Sequence, residues 1–251
     1  FIDSDDWVES TYLQELHNII TNNNTDFVGC GNYFSTDDNK VLIDVISPSF
    51  FIREKNDLEW LISDTMFPYF DKRINNIGIG SIRTVWAKLF KNSIIKEFNI
   101  SFNEDLKIAE DALFCMNYFK HIEKSIFFSA SLYNYRINED SANSKYRIDI
   151  NEINLKILDA FDIALKDIPD NLIYRRSYMG LAYVCICKIL HGYYTNGMNK
   201  MGYFEKYNKL KIDLNNNQYK KALDFKIDPN FSFKEKLVLY AAKRKYIFIL
   251  L

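Results

Sequence analysis

Strand-forming sequence is confined to the first part of the chain. Runs rich in β-branched and aromatic residues, among them Asp26–Tyr33, Lys40–Ser47 and Ser125–Ile137, alternate there with amphipathic stretches. From Ile150 onward, apolar residues recur only at helical spacing. We therefore expect an α/β part followed by an all-helical part, with the boundary between residues 138 and 148.

The same periodicity predicts the individual helices. A first helix follows Ser10 and ends among the asparagines at 22–24. Further helices are predicted over Asp57–Phe67, Glu110–Ile122, Ile150–Ile168, Leu172–Tyr194, Tyr203–Leu214 and Phe233–Leu251. Gly78 and Gly80 indicate a loop between the second helix and an aromatic-rich segment at Val85–Phe90.

Composition excludes several classes of protein. The net charge of −1 argues against a nucleic-acid partner. Three scattered histidines cannot build a histidine zinc site or a Ser-His-Asp triad, so any chemistry must use carboxylates. The longest apolar run, Met179–Leu190, is interrupted by Lys188 and is shorter than the roughly 20 residues of a membrane-spanning helix.

The cysteines predict a reducing location. Their spacing fits neither a disulfide framework nor a Cys-x-x-Cys pair; they are Cys30, Cys115, Cys185 and Cys187. We therefore expect a cytoplasmic protein, either freely soluble or in peripheral contact with the inner face of the membrane.

Charge is divided unevenly along the chain. Residues 1–140 carry 22 acidic and 13 basic side chains, whereas residues 141–251 carry 11 acidic and 19 basic ones. At the end of the chain, Ala242–Leu251 places basic residues beside aromatic and aliphatic ones. This pattern is typical of a surface that lies on anionic lipid, and equally of a helical bundle whose lysines project into water.

Three carboxylates lie within four residues at the start of the chain. Asp3, Asp5 and Asp6 follow Phe1 and Ile2, which indicates an apolar strand that ends in acidic residues. Carboxylates this close repel one another unless a cation or hydrogen-bond donors offset their charge, and hard oxygen ligands suit Mg²⁺ or Mn²⁺. The alternative is that Asp5 or Asp6 caps the helix that follows.

Three more groups could contribute to a site. Glu110 and Asp111 open a predicted helix, where a carboxylate can accept a proton from a hydroxyl or simply complement the helix dipole. In the strand at 125–137, alternation places Tyr133 and Tyr135 on one face, with Arg136 able to bind a phosphate at the strand end. In the segment with Trp86 and Lys88, we expect the aromatic side chains to lie in the core and the lysine to project into solvent.

Four segments carry a family resemblance when they are taken in order. They are FIDSDDWV at 1–8, VWAKLFKNSII at 85–95, ISFNEDLKIAEDALF at 100–114 and LYNYRINEDSAN at 132–143. Together they resemble the inverting family 2 glycosyltransferases with a GT-A fold, of the type that builds bacterial surface polysaccharides. The resemblance implies that residues 1–145 are the C-terminal part of a GT-A mixed sheet with flanking helices, and that 146–251 form a helical C-terminal domain.

The resemblance also implies a nucleotide-sugar donor and a divalent metal, Mn²⁺ or Mg²⁺. Asp3-Ser4-Asp5 matches the family's DxD motif, with Asp5 toward the metal and Asp3 toward both metal and nucleotide. Asp6 matches at most an auxiliary position. Arg136 matches a basic position after the last strand of the sheet that could contact the diphosphate.

On the acceptor side, the resemblance implies a saccharide or lipid-linked hydroxyl compound. Asp111 matches the general base, and Glu110 would position it. Trp86 and Lys88 match the region that lines the acceptor pocket. Inverting transfer would then need no covalent intermediate.

Family members begin with a strand resembling VSVIIPVYN, and nothing like it precedes Phe1. We therefore expect that the chain is a fragment of a longer enzyme, with little or no activity by itself; the alternative is a chain that folds without those first strands and has lost donor binding. A sheet without its first strands would expose an unpaired edge, which suggests a homodimer.

Two rival functions remain open from the sequence. A phosphatase of the haloacid dehalogenase type also places a DxD at a strand end, but it expects Thr or Val where Trp7 stands. The other rival is a noncatalytic, membrane-associated binding module whose acidic residues only cap helices.

Overall fold

The computed structural model describes residues 1–36, 40–42, 50–53, 58–67, 82–137 and 146–251. The chain divides into two compact units. Unit 1 comprises residues 1–104 and 109–141, and unit 2 comprises residues 105–108 and 142–251.

Unit 1 contains a mixed sheet built around one parallel strand pair. The described strands are β1 (Trp7–Val8), β2 (Phe27–Ser35), β3 (Lys40–Leu42), β4 (Phe50–Arg53), β5 (Lys88–Phe90) and β6 (Ser125–Arg136). β2 and β6 run parallel along their whole length. β3 and β5 pair antiparallel with β2, and β1 and β4 pair antiparallel with β6. The mixed α/β class expected for this part of the chain is confirmed.

The run predicted over Ser125–Ile137 forms one long strand, β6, over Ser125–Arg136. Its register with β2 is regular from Phe27 opposite Ser125 to Cys30 opposite Phe128, and it then shifts so that Gly31 lies opposite Ser131. Before the shift β6 pairs with β4, and after it with β1. The irregularity therefore divides the strand into two halves with different outer neighbours.

Helices cover the sheet of unit 1. They are α1 (Tyr12–Asn22), α2 (Leu58–Met66), α3 (Asn92–Glu97) and α4 (Glu110–Phe119). Tyr12 and Leu16 of α1 are buried against Val28, Trp86 and Tyr133. This contact buries the apolar face that the spacing of α1 predicts.

The predictions for unit 1 agree with these elements where residues are described. α1, β2, α2 and α4 lie within the predicted ranges or within two residues of them, and β3, which falls in the run predicted over Lys40–Ser47, pairs antiparallel with β2. The strands β1 and β4 and the short helix α3 were not predicted, because two to six residues are too few to show a period. The remainder of the strand predicted over 40–47 and the glycines at 78 and 80 lie outside the described residues.

Unit 2 is helical wherever the structure gives it regular secondary structure. Its helices are α5 (Ile150–Leu165), α6 (Leu172–Ile189) with a π-helical turn (Leu190–Tyr194), α7 (Tyr203–Asp213), α8 (Asn217–Leu223), α9 (Phe233–Arg244) and α10 (Ile247–Leu250). The single helix predicted over Phe233–Leu251 is interrupted at Lys245, whose φ of 58° cannot continue a right-handed helix. In the part of the chain that the structure describes, no helix is long and apolar enough to cross a membrane.

The thiols of Cys30, Cys115, Cys185 and Cys187 form no disulfide bond with one another. Cys185 is buried in the core of unit 2, and Cys187 on the same helix is half-buried.

Substituting Gly29 tests the close approach of β2 and β6. A β-carbon at Gly29 would lie 3.0 Å from Cδ1 and 3.1 Å from Cε1 of Phe127, a fully buried ring on the facing strand. We expect Gly29→Ala to lower the free energy of unfolding by about 1–3 kcal/mol, because the ring must move in a packed core. Urea denaturation of the chain measures this loss.

The control is Gly192→Ala, where the new methyl group meets no atom within 4 Å. An equal loss in both variants would contradict the packing argument.

Candidate functional site

The acidic triplet lies in a turn held against the end of β6. The Asp6 carboxylate accepts a hydrogen bond from Tyr133 Oη at 2.6 Å and another from the Arg136 backbone N–H at 2.8 Å. Tyr133 Oη in turn accepts a bond from the Asp3 backbone N–H at 3.1 Å. Asp6, to which the resemblance gives at most an auxiliary role, therefore fixes the turn that contains Asp3 and Asp5.

The expectation that the acids follow an apolar strand is wrong for this structure. Residues 1–6 form no strand, and β1 comes after the acids. Phe1 instead packs edge-on against the rings of Phe90, Phe102 and Phe114, with centroid distances of 5.3–5.7 Å. Aromatic packing at this site replaces strand pairing.

Helix capping does not explain the triplet. The helix that follows begins at Tyr12, and Thr11 occupies its N-cap position. Asp5 and Asp6 lie five or more residues before that position, too far along the chain to cap it.

Arg136 lies beside the triplet. Its Nε donates to the Asp5 carbonyl oxygen at 2.9 Å, and its guanidinium group lies 5.2 Å from the centroid of the Trp7 ring. Both contacts place a fixed positive charge next to the acidic turn.

Asp111 lies in the first turn of α4. The preceding Ala109 has a φ of 68°, a left-handed conformation that is unusual for a residue with a β-carbon. The Asp111 carboxylate accepts a hydrogen bond from the Val85 backbone N–H at 3.3 Å. The carboxylate is thereby oriented by a segment 26 residues earlier in the chain.

Burial is the main cause that raises the pKa of Asp111 to about 6. The carboxylates of Glu110 and Asp3 raise it further, whereas the Val85 hydrogen bond and the Lys88 ammonium group lower it. The ring of Phe1 packs against Phe114 of α4 at a centroid distance of 5.3 Å, which holds the acidic turn near the start of this helix, and the effect of Asp3 on the pKa of Asp111 agrees with that placement.

The negative charge of this region also acts on Asp3. Burial raises the pKa of Asp3, and the carboxylates of Asp6, Asp5 and Glu110 raise it as well.

Oxygen ligands in a negative region fit Mg²⁺ or Mn²⁺, which use one or two protein carboxylates together with water and phosphate oxygens. Asp3 and Asp5 are the residues that would hold such an ion. Within the described residues, no group of three or more His, Cys, Asp or Glu side chains is placed to hold a metal.

Trp86 joins the two parts of the site. Its ring stacks on Tyr133 at a centroid distance of 5.0 Å and lies 5.4 Å from Tyr135. The prediction that Tyr133 and Tyr135 share a face of β6 is confirmed by these contacts. Trp86 is itself mostly buried, with 7% of its surface exposed.

Lys88 is buried, so the interpretation of this residue as a solvated lysine is wrong. Only 2% of its surface is exposed, and its Nζ donates to Thr84 Oγ1 at 3.0 Å and to the Trp86 carbonyl oxygen at 3.2 Å. Burial lowers the pKa of the Lys88 ammonium group to about 8. The contact between Lys88 and a sugar acceptor, which the family resemblance implies, stays a prediction.

Sequence reasoning did not find the residues that hold the Thr84–Lys88 segment together. Cys115 Sγ donates to the Thr84 carbonyl oxygen at 3.2 Å, and Ala87 adopts a φ of 57° between the two residues that the sequence singles out. The hydrogen bond and the backbone angle both involve main-chain atoms, which are the same for every residue type and so cannot be predicted from the sequence. A lysine between two apolar residues in a strand-like run was the available indication of burial.

The raised pKa of Asp111 predicts how Asp111→Asn changes stability with pH. The folded chain holds a proton on this carboxyl group that the unfolded chain has lost above about pH 4, so the stabilisation is complete below about pH 4 and is lost as the pH rises through about 6. At pH 7 and above, the charged form destabilises the fold, and we expect Asp111→Asn to raise the free energy of unfolding by about 1–2 kcal/mol. Urea denaturation from pH 4 to pH 8 measures the difference.

The exposed Glu97 provides the control Glu97→Gln, for which we expect no comparable gain. A difference between Asp111→Asn and the parent chain that stays constant over this pH range would contradict the assignment.

Replacing Lys88 tests its influence on Asp111. Because the ammonium charge lowers the pKa of Asp111, we expect Lys88→Met to raise that pKa above about 6. Carbon-detected NMR titration of labelled aspartate measures the change directly. Lys96→Met makes the same substitution at an exposed lysine, and a shift of equal size there would refute a specific effect.

Comparison with known proteins shows similarity to glycosyltransferases. The chain is 26% identical over 144 residues to the uncharacterized glycosyltransferase EpsJ of Bacillus subtilis, which covers 56% of the chain and 38% of EpsJ. It is 25% identical over 153 residues to the glycosyltransferase GlyA of Streptococcus pneumoniae, covering 56% of the chain and 19% of GlyA. The chain thus spans less than half the length of either relative. No protein-family model matches it.

Solved structures share the fold. The whole chain aligns with 63% of a crystallised chain of S. aureus TarS 1–349 in complex with UDP, with a TM-score of 0.59 and 19% identity. It aligns with 64% of the same protein in complex with UDP-GlcNAc, with a TM-score of 0.61 and 15% identity. At this identity the likeness shows the fold alone: the chain has the fold of a part of a glycosyltransferase.

Proposed function

We propose that the chain is part of an inverting, metal-dependent family 2 glycosyltransferase of the GT-A type, acting in the synthesis of a cell-surface polysaccharide. The similarity to EpsJ and GlyA and the fold shared with TarS support glycosyl transfer. The observation that carries the proposal is the packing of Phe1 against Phe114 of α4, with ring centroids 5.3 Å apart, because it holds the acidic turn near the start of α4. The proposed base Asp111 and the proposed metal ligands Asp3 and Asp5 would then belong to one region of unit 1.

The donor in this proposal is a nucleotide sugar. TarS, which has the same fold, was crystallised with UDP and with UDP-GlcNAc. Asp3 and Asp5 would hold the divalent cation, which supplies positive charge to the departing diphosphate when it is bound. Arg136, whose guanidinium group lies beside the acidic turn, would add a second positive charge.

Asp111 is the proposed base. Its carboxylate removes the proton from the acceptor hydroxyl while the hydroxyl oxygen forms a bond to the anomeric carbon. The bond from that carbon to the diphosphate oxygen breaks on the opposite face, so the configuration inverts. With a pKa of about 6, Asp111 is largely ionised at pH 7 and loses activity as the pH falls through 6.

Other residues would position the reactants. Glu110 precedes the base and raises its pKa, which increases its affinity for the acceptor proton. Trp86 and Lys88 belong to the segment whose Val85 N–H orients Asp111, and they are proposed to shape the acceptor side of the pocket. The acceptor is a saccharide or a lipid-linked hydroxyl compound.

The phosphatase and the noncatalytic module are not favoured. EpsJ and GlyA are named glycosyltransferases, and solved structures with the same fold include those of TarS. A homodimer formed through an unpaired sheet edge is still a proposal, which sedimentation at micromolar concentration tests.

Substitution of the base tests the proposed chemistry. In the protein expressed from its complete reading frame, we expect Asp111→Asn to lower the rate of sugar transfer by about 10²- to 10⁴-fold without loss of folding. Release of nucleoside diphosphate and the anomeric configuration of the product, read by NMR, measure rate and outcome. Glu97→Gln serves again as the control and is expected to leave the rate unchanged.

Asp5→Asn separates metal binding from proton transfer. We expect this variant to need a higher Mn²⁺ concentration for half-maximal transfer, because it removes one charged oxygen ligand. Retained activity in Asp111→Asn, or a product with unchanged configuration, would overturn the proposed mechanism.

A further inference from the structure

Unit 2 exposes a group of large apolar side chains near the end of the chain. We call this group the α9–α10 patch; its members are Phe233, Leu237, Tyr240, Tyr246, Phe248 and Ile249. Exposed fractions reach 83% for Phe233 and 65% for Phe248. Single exposed apolar residues are ordinary, but six within 17 positions are not.

On α9 these side chains form a stripe opposite the core. Phe233, Leu237 and Tyr240 stand at i, i+4 and i+7, which places them within about 60° of one another around the helix. The buried residues Leu239 and Ala242 belong to the opposite side, where α9 packs within unit 2. The helix is therefore apolar on two faces, and one of them is already covered by protein.

Aromatic contacts continue the stripe onto α10. The ring of Tyr240 lies 6.0 Å from that of Tyr246, which lies 6.1 Å from that of Phe248. The patch thus crosses the break at Lys245, whose left-handed conformation redirects the chain. One continuous apolar surface results rather than two separate ones.

Basic residues flank the patch. Lys234 and Lys236 lie on the two sides of the stripe, and the Arg244 guanidinium group lies 5.8 Å from the centroid of the Tyr240 ring. Glu235 is the one acidic residue in the sequence from 229 to 251, and it is buried, where it completes a capping box with Ser232. Apolar groups at the centre with cations at the rim complement an anionic interface.

We propose that the α9–α10 patch is a docking surface for an anionic lipid bilayer, with Phe233 and Phe248 inserted among the headgroups and the flanking lysines and Arg244 on the lipid charges. Charge complementarity selects this occupant over a second copy of the chain, because two copies would bring like charges together. The surface is argued from unit 2 alone and does not depend on the proposed sugar transfer.

Vesicle flotation of the chain tests the proposal. We expect binding to vesicles of phosphatidylcholine with about one-third phosphatidylglycerol, weaker binding at high salt, and little binding to phosphatidylcholine alone. The double variant Phe233→Ser/Phe248→Ser should lower the vesicle partition coefficient about tenfold or more. Both side chains are exposed, so circular dichroism should show an unchanged fold.

The matched control is Ile163→Ser/Leu172→Ser, which removes two exposed apolar side chains from α5 and α6 and should leave partitioning unchanged. Equal binding by the two double variants, or no binding by the parent chain, would overturn the proposal. Sedimentation analysis tests self-association instead. If the parent chain is a dimer that does not bind lipid, and Phe233→Ser/Phe248→Ser converts it to a monomer, the patch is a dimer interface and the proposal is wrong.

Discussion

The hydrogen bond between Tyr133 Oη and the Asp6 carboxylate supports most of the candidate site. The same phenol oxygen accepts the Asp3 backbone N–H, so one side chain of β6 positions the acidic turn through two of its residues. On its other side, the Tyr133 ring stacks on Trp86, which belongs to the segment that orients Asp111. A single buried tyrosine therefore connects the acidic turn to the proposed base through contacts within unit 1.

Around Asp3 and Asp111, acidic side chains outnumber basic ones. Burial and neighbouring carboxylates raise the pKa of Asp3 and of Asp111, the Lys88 ammonium group lowers the pKa of Asp111, and Arg136 lies at the end of β6. An excess of negative charge costs stability, and a bound cation would relieve it. This cost is consistent with the proposed metal site, since functional sites often lower the stability of the fold that holds them.

The sequence predicted the long elements and the residue types of the site, for physical reasons. Strongly periodic stretches such as α1 and α5 bury one face and can be recognised from that period, whereas β1 and β4 are too short to show one. The acidic residues at 3, 5 and 6 could be singled out because carboxylates this close repel one another unless a cation or hydrogen-bond donors offset their charge. The proposed roles of Asp5 and Asp111 rest on the family resemblance instead. The burial of Lys88 could not, since it depends on acceptors supplied by the main chain and by Thr84. The helix break at Lys245 likewise depends on a backbone conformation that lysine rarely adopts.

The pairing of β6 has a consequence for the order in which the protein can form during synthesis. This strand, at residues 125–136, is the shared neighbour of β1, β2 and β4, which leave the ribosome long before it. Those earlier strands cannot complete their hydrogen-bond ladders until Arg136 has emerged, so the nascent sheet must wait with open edges. Pairing between strands this far apart in the sequence is of the kind that slows folding, so the sheet of unit 1 is expected to close only after β6 has been synthesised.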